Sequence, residues 1–176
     1  MTQRKVIVNI GTSADGYVAR PDGDLEWLTA RPKPAGFYGI ADFTKTVDTK
    51  VLGRKTFETS LRLGAKFADG RTIVFSRSKP PERLPAGVEF VSEPIGPFVK
   101  RLRDQPGKDI WLMGGGDIIA SFLDAGAIDE FVITVTPVFI GAGIPLIAPR
   151  HLHVPLKLLS AQPFEDGVVQ LRYSVR

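Results

Sequence analysis

Short apolar runs bounded by glycine, proline or polar clusters alternate along this chain with stretches whose apolar residues recur every three to four positions. The first kind predicts strands at residues 5–10, 49–52, 72–75, 88–90, 110–113, 130–135, 156–161 and 168–175. The second predicts helices at 36–45, 56–61, 97–103 and 116–124. The early strands are near-continuous hydrophobics, the pattern of parallel strands covered on both faces. The tail differs, because Asp166-Gly167 forms a turn signal between two strand patterns and predicts an antiparallel hairpin. The expected architecture is a three-layer α/β/α domain: a mostly parallel central sheet with a C-terminal antiparallel hairpin.

Composition narrows the classes. With 176 residues, 43% of them hydrophobic, the chain reads as one domain able to bury its own core. No run approaches the roughly 18 apolar residues of a membrane span, and the start of the chain lacks a signal-peptide core, so a cytoplasmic protein is expected. Zero cysteines exclude disulfides, thiolate zinc sites and a cysteine nucleophile. The net charge of +4 comes from scattered Lys and Arg, not from a basic run. That argues against nucleic acid and is compatible with an anionic small-molecule partner. His151 and His153 lie in a proline-flanked loop with no third ligand, which reads as surface and not as a metal pair.

The densest chemical signal is Gly114-Gly115-Gly116-Asp117-Ile118. An apolar strand breaks on three glycines and a helix pattern starts at once, carrying Ile118, Ile119, Phe122 and Leu123 on one face. Residues without side chains at a helix N-terminus let a phosphate or pyrophosphate approach free amides and the positive dipole end. A plain strand-to-helix turn is the alternative. Gly53-Arg54-Lys55-Thr56 is a second glycine-led strand end. Its two cations stand where the dipole repels them, which makes sense beside a bound anion; a solvated helix start is the other reading. Ser76-Arg77-Ser78 ends a third strand with two hydroxyls around a guanidinium, chemistry suited to a phosphate monoester or to a bare turn. In an open α/β sheet all three strand ends share the ligand-binding edge. A polar segment after strand one carries Asp15, then Asp24 and Glu26 ahead of Trp27 and Leu28, and reads as a surface loop or a lid. The Gly/Pro-shaped stretch 136–146 reads as architectural.

Taken together, Ser13-Ala-Asp-Gly-Tyr-Val-Ala19, Gly53-Arg-Lys-Thr56, Gly114-Gly-Gly116 and Asp129-Glu130, with Thr136-Pro137 and Gly141-Ala-Gly143 following, resemble the dihydrofolate reductase-like superfamily. The set is most similar to the reductase domain of the bifunctional riboflavin-biosynthesis deaminase-reductase and its free-standing relatives. The ordered set spans about residues 5 to 147. The resemblance implies an NADPH-dependent reductase. Gly114, Gly115, Gly116, Asp117 and Ile118 would hold the pyrophosphate, with Gly53, Arg54, Lys55 and Thr56 adding phosphate contacts. Ser76, Arg77 and Ser78 would meet the adenosine 2′-phosphate, and Ile10 and Gly11 the nicotinamide. It also implies a cis peptide between Gly114 and Gly115. The substrate side matches only across a gap, which leaves Asp15, Asp24 and Glu26 as candidates for substrate binding or proton supply. The zinc deaminase signature is absent, so only a reductase-like unit is expected.

The expected substrate is a heterocyclic or sugar-linked small molecule, an aminouracil of the riboflavin-precursor type first and dihydrofolate second. The reading from another class is a non-catalytic nucleotide-binding or interaction module. A homodimer is a further expectation, which an exposed apolar face along residues 131–139 would suit, although an apolar run in a sheet is first of all core.

Overall fold

The structure, a computed structural model, describes every residue except Met1, Thr2, Lys33, Ala35 and Ala68. Its elements are β1 (Val6–Ser13), β2 (Tyr17–Ala19), α1 (Glu26–Thr29), α2 (Ile40–Thr46), β3 (Val47–Gly53), α3 (Arg54–Arg62), β4 (Arg71–Phe75) and β5 (Val88–Val91). Then come α4 (Ile95–Arg103), β6 (Asp109–Gly114), α5 (Gly116–Asp124), β7 (Glu130–Thr136), β8 (Ile144–Pro145), β9 (Leu156–Pro163) and β10 (Val169–Val175). An 8-stranded sheet runs in the order β5-β4-β3-β6-β1-β7-β10-β9, and β2 pairs with β8 in a small second sheet. The pairs from β5 to β7 are all parallel, whereas β10 lies antiparallel to both β7 and β9. This is the expected mostly parallel α/β/α fold with an antiparallel edge.

Strand alternation divides the sheet between two cores. Val6 and Val8, Val51, Ile73, Ile110 and Leu112 face one side, where Phe98, Val99 and Leu102 of α4 and Ile119 and Phe122 of α5 cover them. Phe75, Phe98 and Phe122 interlock there edge to face, with centroids 4.8 and 5.6 Å apart. Their sequence neighbours Leu52, Val74 and Met113 face the other side, against Phe57 of α3, Phe67 and Phe90. The helices that follow the adjacent strands β3 and β6 therefore leave to opposite faces. Where helices diverge in this way between adjacent strand ends, open α/β sheets have a switch-point crevice that takes ligands.

Several elements extend beyond the pattern-based bounds. β1 continues through Gly11, Thr12 and Ser13 because these residues pair with Thr134, Val135 and Thr136 of β7. The polar segment behind it contains the short strand β2, and the Gly/Pro stretch contains β8. Each is two or three residues long and held only by pairing to the other, so neither carries a local signal. The helix expected over 36–45 starts at Ile40, since Gly36, Phe37, Tyr38 and Gly39 all hold positive φ. The expected apolar dimer face needs correction: β7 lies between β1 and β10, and Glu130, Phe131, Val132 and Thr136 are buried. Of that stretch Phe139 is strongly exposed, whereas the exposed leucines Leu156, Leu158 and Leu159 lie on the edge strand β9.

Candidate active site

Three strands end level with one another at the crevice. Leu52 of β3 pairs with Gly114 of β6, and Gly53 pairs with Phe75 of β4. From Gly53 and Gly115, which act as N-caps, start two nine-residue helices, α3 and α5, and no side chain caps either one. The first-turn amides of a helix have no acceptor within the helix, so two positive dipole ends converge here with donors to spare. They converge closely: a Cβ on Gly53 would lie 3.8 Å from the Ile118 side chain, and one on Gly115 would lie 3.3 Å from Thr56 Oγ1.

Each glycine of the triplet has its own physical reason. Gly114 has φ +105°, a conformation side chains disfavour, and joins Gly115 through a cis peptide. Gly115 faces Thr56 and keeps the crevice mouth open. Gly116 is needed for packing, because a Cβ there would meet the Pro145 carbonyl at 2.4 Å. Ile10 packs beneath the triplet, its Cδ1 3.2 Å from where a Cβ on Gly114 would lie. Asp117 is exposed at the first turn of α5 and leaves its backbone amide to the crevice.

The cations flank this opening. Arg54 Nε donates to Glu58 at 2.7 Å and Nη1 donates to the Lys79 carbonyl at 2.8 Å, with the guanidinium 5.9 Å from the Phe90 ring centre. These contacts draw the loop after β4 against α3. In that loop the Ser78 amide donates to Ser76 Oγ at 3.1 Å. Lys55 and Arg77 stand exposed, with no ion-pair partner among the described residues. Two uncapped helix ends, two unpaired cations and a side-chain-free mouth fit a dinucleotide pyrophosphate and an additional phosphate.

The acidic candidates separate. Ser13 Oγ donates to Asp15 at 2.6 Å, and the Gly141 amide donates to it at 2.8 Å. The Ser13 hydroxyl and the amides of Gly141 and Ile140 hold the Asp15 carboxyl below the usual carboxylate range. A carboxylate kept ionised and bonded in this way ties the β1–β2 turn to the segment after β7, and is poorly suited to donate a proton. Asp24 accepts the Glu26 amide at 3.2 Å and lies 3.7 Å from Arg20 Nε, while Glu26 is exposed. Asp22, Asp24 and Leu25 face Thr59 and Arg62 of the last α3 turn, and Leu63 just after it, across a cavity of about 290 Å³. A single helix thus meets the crevice with its first turn and this cavity with its last. Thr59 and Arg62, at helical spacing from Thr56, were not singled out from the sequence, although that spacing would have found them.

On the α3 side, Leu28 overhangs Gly11, its Cδ2 3.3 Å from where a Cβ would lie. Beyond Gly11 in register come Thr134 and Gln170. Gln170 Nε2 donates to the Tyr38 carbonyl at 2.8 Å and to Thr134 Oγ1 at 3.2 Å. Tyr38 Oη donates to Asp166, which fastens the residues before α2 to the C-terminal hairpin turn. None of these contacts has a local sequence signal, since each joins residues far apart in the chain.

These features have counterparts in known proteins. The chain is 38% identical over 173 residues to the uncharacterised protein YwjB of Bacillus subtilis (strain 168), covering 97% of this chain and 98% of that one. The crystal structure of a candidate riboflavin biosynthesis protein from Shewanella sp. PV-4 superposes with TM-score 0.84 at 27% identity, covering 98% and 99% of the two chains. Dihydrofolate reductase from Enterococcus faecalis, complexed with NADP(H) and RAB-propyl, shares the fold with TM-score 0.71 at 17% identity, covering 99% and 98%. The family model described as the RibD C-terminal domain matches residues 4–170, which contain every strand end of the crevice. On that match the chain belongs to the RibD C-terminal domain family, built on a dihydrofolate reductase-like fold.

Proposed function

We propose that this protein is an NADPH-dependent reductase of a heterocyclic or sugar-linked small molecule, with a 5-amino-6-(5-phosphoribosylamino)uracil-type substrate first and dihydrofolate second. The observation that carries the reading is the meeting of two uncapped nine-residue helices, α3 and α5, at a glycine-lined switch point. That arrangement suits an anion with two phosphate groups, such as a pyrophosphate. Membership of the RibD C-terminal domain family supports a reductase.

In this reading the amides of Gly116, Asp117 and Ile118 and of Arg54, Lys55 and Thr56 hold the pyrophosphate. Arg77, with Ser76 and Ser78, takes the 2′-phosphate. Bound NADPH supplies the hydride, and the protein aligns donor and acceptor and relays one proton. Proton supply belongs to Asp24, which lines the cavity beside α3, or to Glu26 two residues on, and Asp15 acts as a tether. In this reading the substrate reaches from that cavity to Gly11.

A thermal-shift titration with NADPH and NADH in parallel tests this. A ligand at about 100 times its Kd stabilises by roughly 2.7 kcal/mol. For a chain of this length that is about 5–10 °C in Tm. NADPH should give such a shift and NADH much less at the same concentration. No shift with either at millimolar concentration refutes the cofactor assignment. NADPH binding without turnover on both named substrates favours the non-catalytic nucleotide-binding module.

A further inference from the structure

Asn9 is a polar residue that the fold leaves unexplained. Val6, Val8 and Ile10 turn into the core under α4 and α5, so Asn9 shares the opposite face with Gly11. In register it lies beside Val132 of β7, and one step past the Val8–Leu112 pair it lies beside Met113 of β6. Its main-chain carbonyl accepts Trp111 Nε1 at 3.0 Å. Its carboxamide, half-buried between two apolar neighbours, makes no hydrogen bond to any described residue.

A carboxamide brings two donor hydrogens and an acceptor oxygen, and taking it partly out of water without partners costs free energy. Asn is also disfavoured inside strands. A Val or Leu at this position would serve the sheet better, so a ligand accounts for the amide where folding does not. A second polar group points the same way. Thr134, diagonal to Asn9 on the same face, accepts from Gln170 Nε2 and keeps its own hydroxyl hydrogen free to donate.

We propose that Asn9 is a specificity-determining residue, reading an in-plane ring edge of the substrate that offers one donor beside one acceptor, as a lactam does, with Thr134 supplying an additional donor. This rests on the reductase reading above. An Asn amide meets a lactam edge through two side-by-side hydrogen bonds, and it does not suit an apolar or purely anionic ring edge.

The test is calorimetric titration of 5,6-diaminouracil, a ring bearing that edge, into the protein saturated with NADP⁺. Wild type should bind, and Asn9→Leu and Asn9→Asp should each bind about tenfold more weakly, with unchanged NADP⁺ affinity. The melting temperature of Asn9→Leu should equal or exceed that of wild type, which a structural role for Asn9 would not allow. Wild-type affinity in either variant, or no binding by the NADP⁺-loaded wild type, overturns the inference. Failure of NADP⁺ itself to bind overturns the reading beneath it.

Discussion

Replacing Gly116 with alanine tests the packing argument with one methyl group. Built on the existing backbone, its Cβ lies 2.4 Å from the Pro145 carbonyl oxygen, 3.3 Å from the Ala148 amide nitrogen and 3.4 Å from the Leu146 carbonyl oxygen. Real Cβ contacts essentially never fall under 3.0 Å, so the Pro145 carbonyl must retreat by about 0.6 Å. It is not free to do so. Pro145 pairs with Tyr17, the Leu146 amide donates to the Gly16 carbonyl at 3.0 Å, and the Ala148 amide donates to the Gly116 carbonyl at 3.2 Å. All the opposing atoms are backbone, and none can rotate away as a side chain would. Overpacking of this kind costs about 1–3 kcal/mol, which for a chain of this size lowers Tm by about 2–12 °C. Gly96→Ala is the matched control. It lies in α4 with nothing within 4 Å of its Cβ, so helix propensity alone should raise Tm by about 1–4 °C. Thermal melts followed by circular dichroism read both. A Gly116→Ala protein that melts at or above the wild-type temperature would refute the claim that this glycine is required by the segment packed over it.

Two further outcomes follow from the charges. Arg77→Ala should raise the Kd for NADPH about tenfold, a charge-assisted hydrogen bond discounted for exposure, and leave that for NADH unchanged; equal effects on both nucleotides in a fluorescence titration would refute the 2′-phosphate assignment. Asp15→Asn should lower Tm at neutral pH by loosening the Ser13–Gly141 tether. Because the folded-state pKa of Asp15 is lowered from 3.8, its stabilisation is fully present above that value and is lost as pH falls through the folded pKa. The gap between wild-type and variant melting temperatures should therefore close below about pH 3.8; a gap that persists unchanged to pH 2 would show that the carboxylate is not what the variant removed.

Where local pattern and tertiary demand coincide, the chain reads plainly. The strands ending at Gly53, Phe75 and Gly114 close on apolar residues, Val51-Leu52, Ile73-Val74-Phe75 and Ile110, Leu112 and Met113, which pack into cores on both faces of the sheet. Because those strands are parallel, every connection returns to the same edge, and chemistry at one strand end predicts neighbours at the others. The C-terminal hairpin was equally legible, since Asp166-Gly167 accommodates the positive φ of Gly167 at +84°. Asp15 was less legible: composition marks a carboxylate in a polar loop, and only the backbone of Ile140 and Gly141 arriving from far along the chain makes it a tether.

By itself, then, the sequence determined the alternation of strands and helices, the parallel sheet and the three glycine- or hydroxyl-marked strand ends, because periodicity and glycine placement act within a few residues. Only the tertiary structure decided strand order, the pairing of β2 with β8 and the separate duties of the three glycines. It alone brought the last turn of α3 to Asp24, fastened Tyr38 to Asp166, and left the Asn9 carboxamide without a hydrogen bond to any described residue. Those features depend on contacts between residues tens of positions apart, and no local preference encodes which distant backbone will arrive.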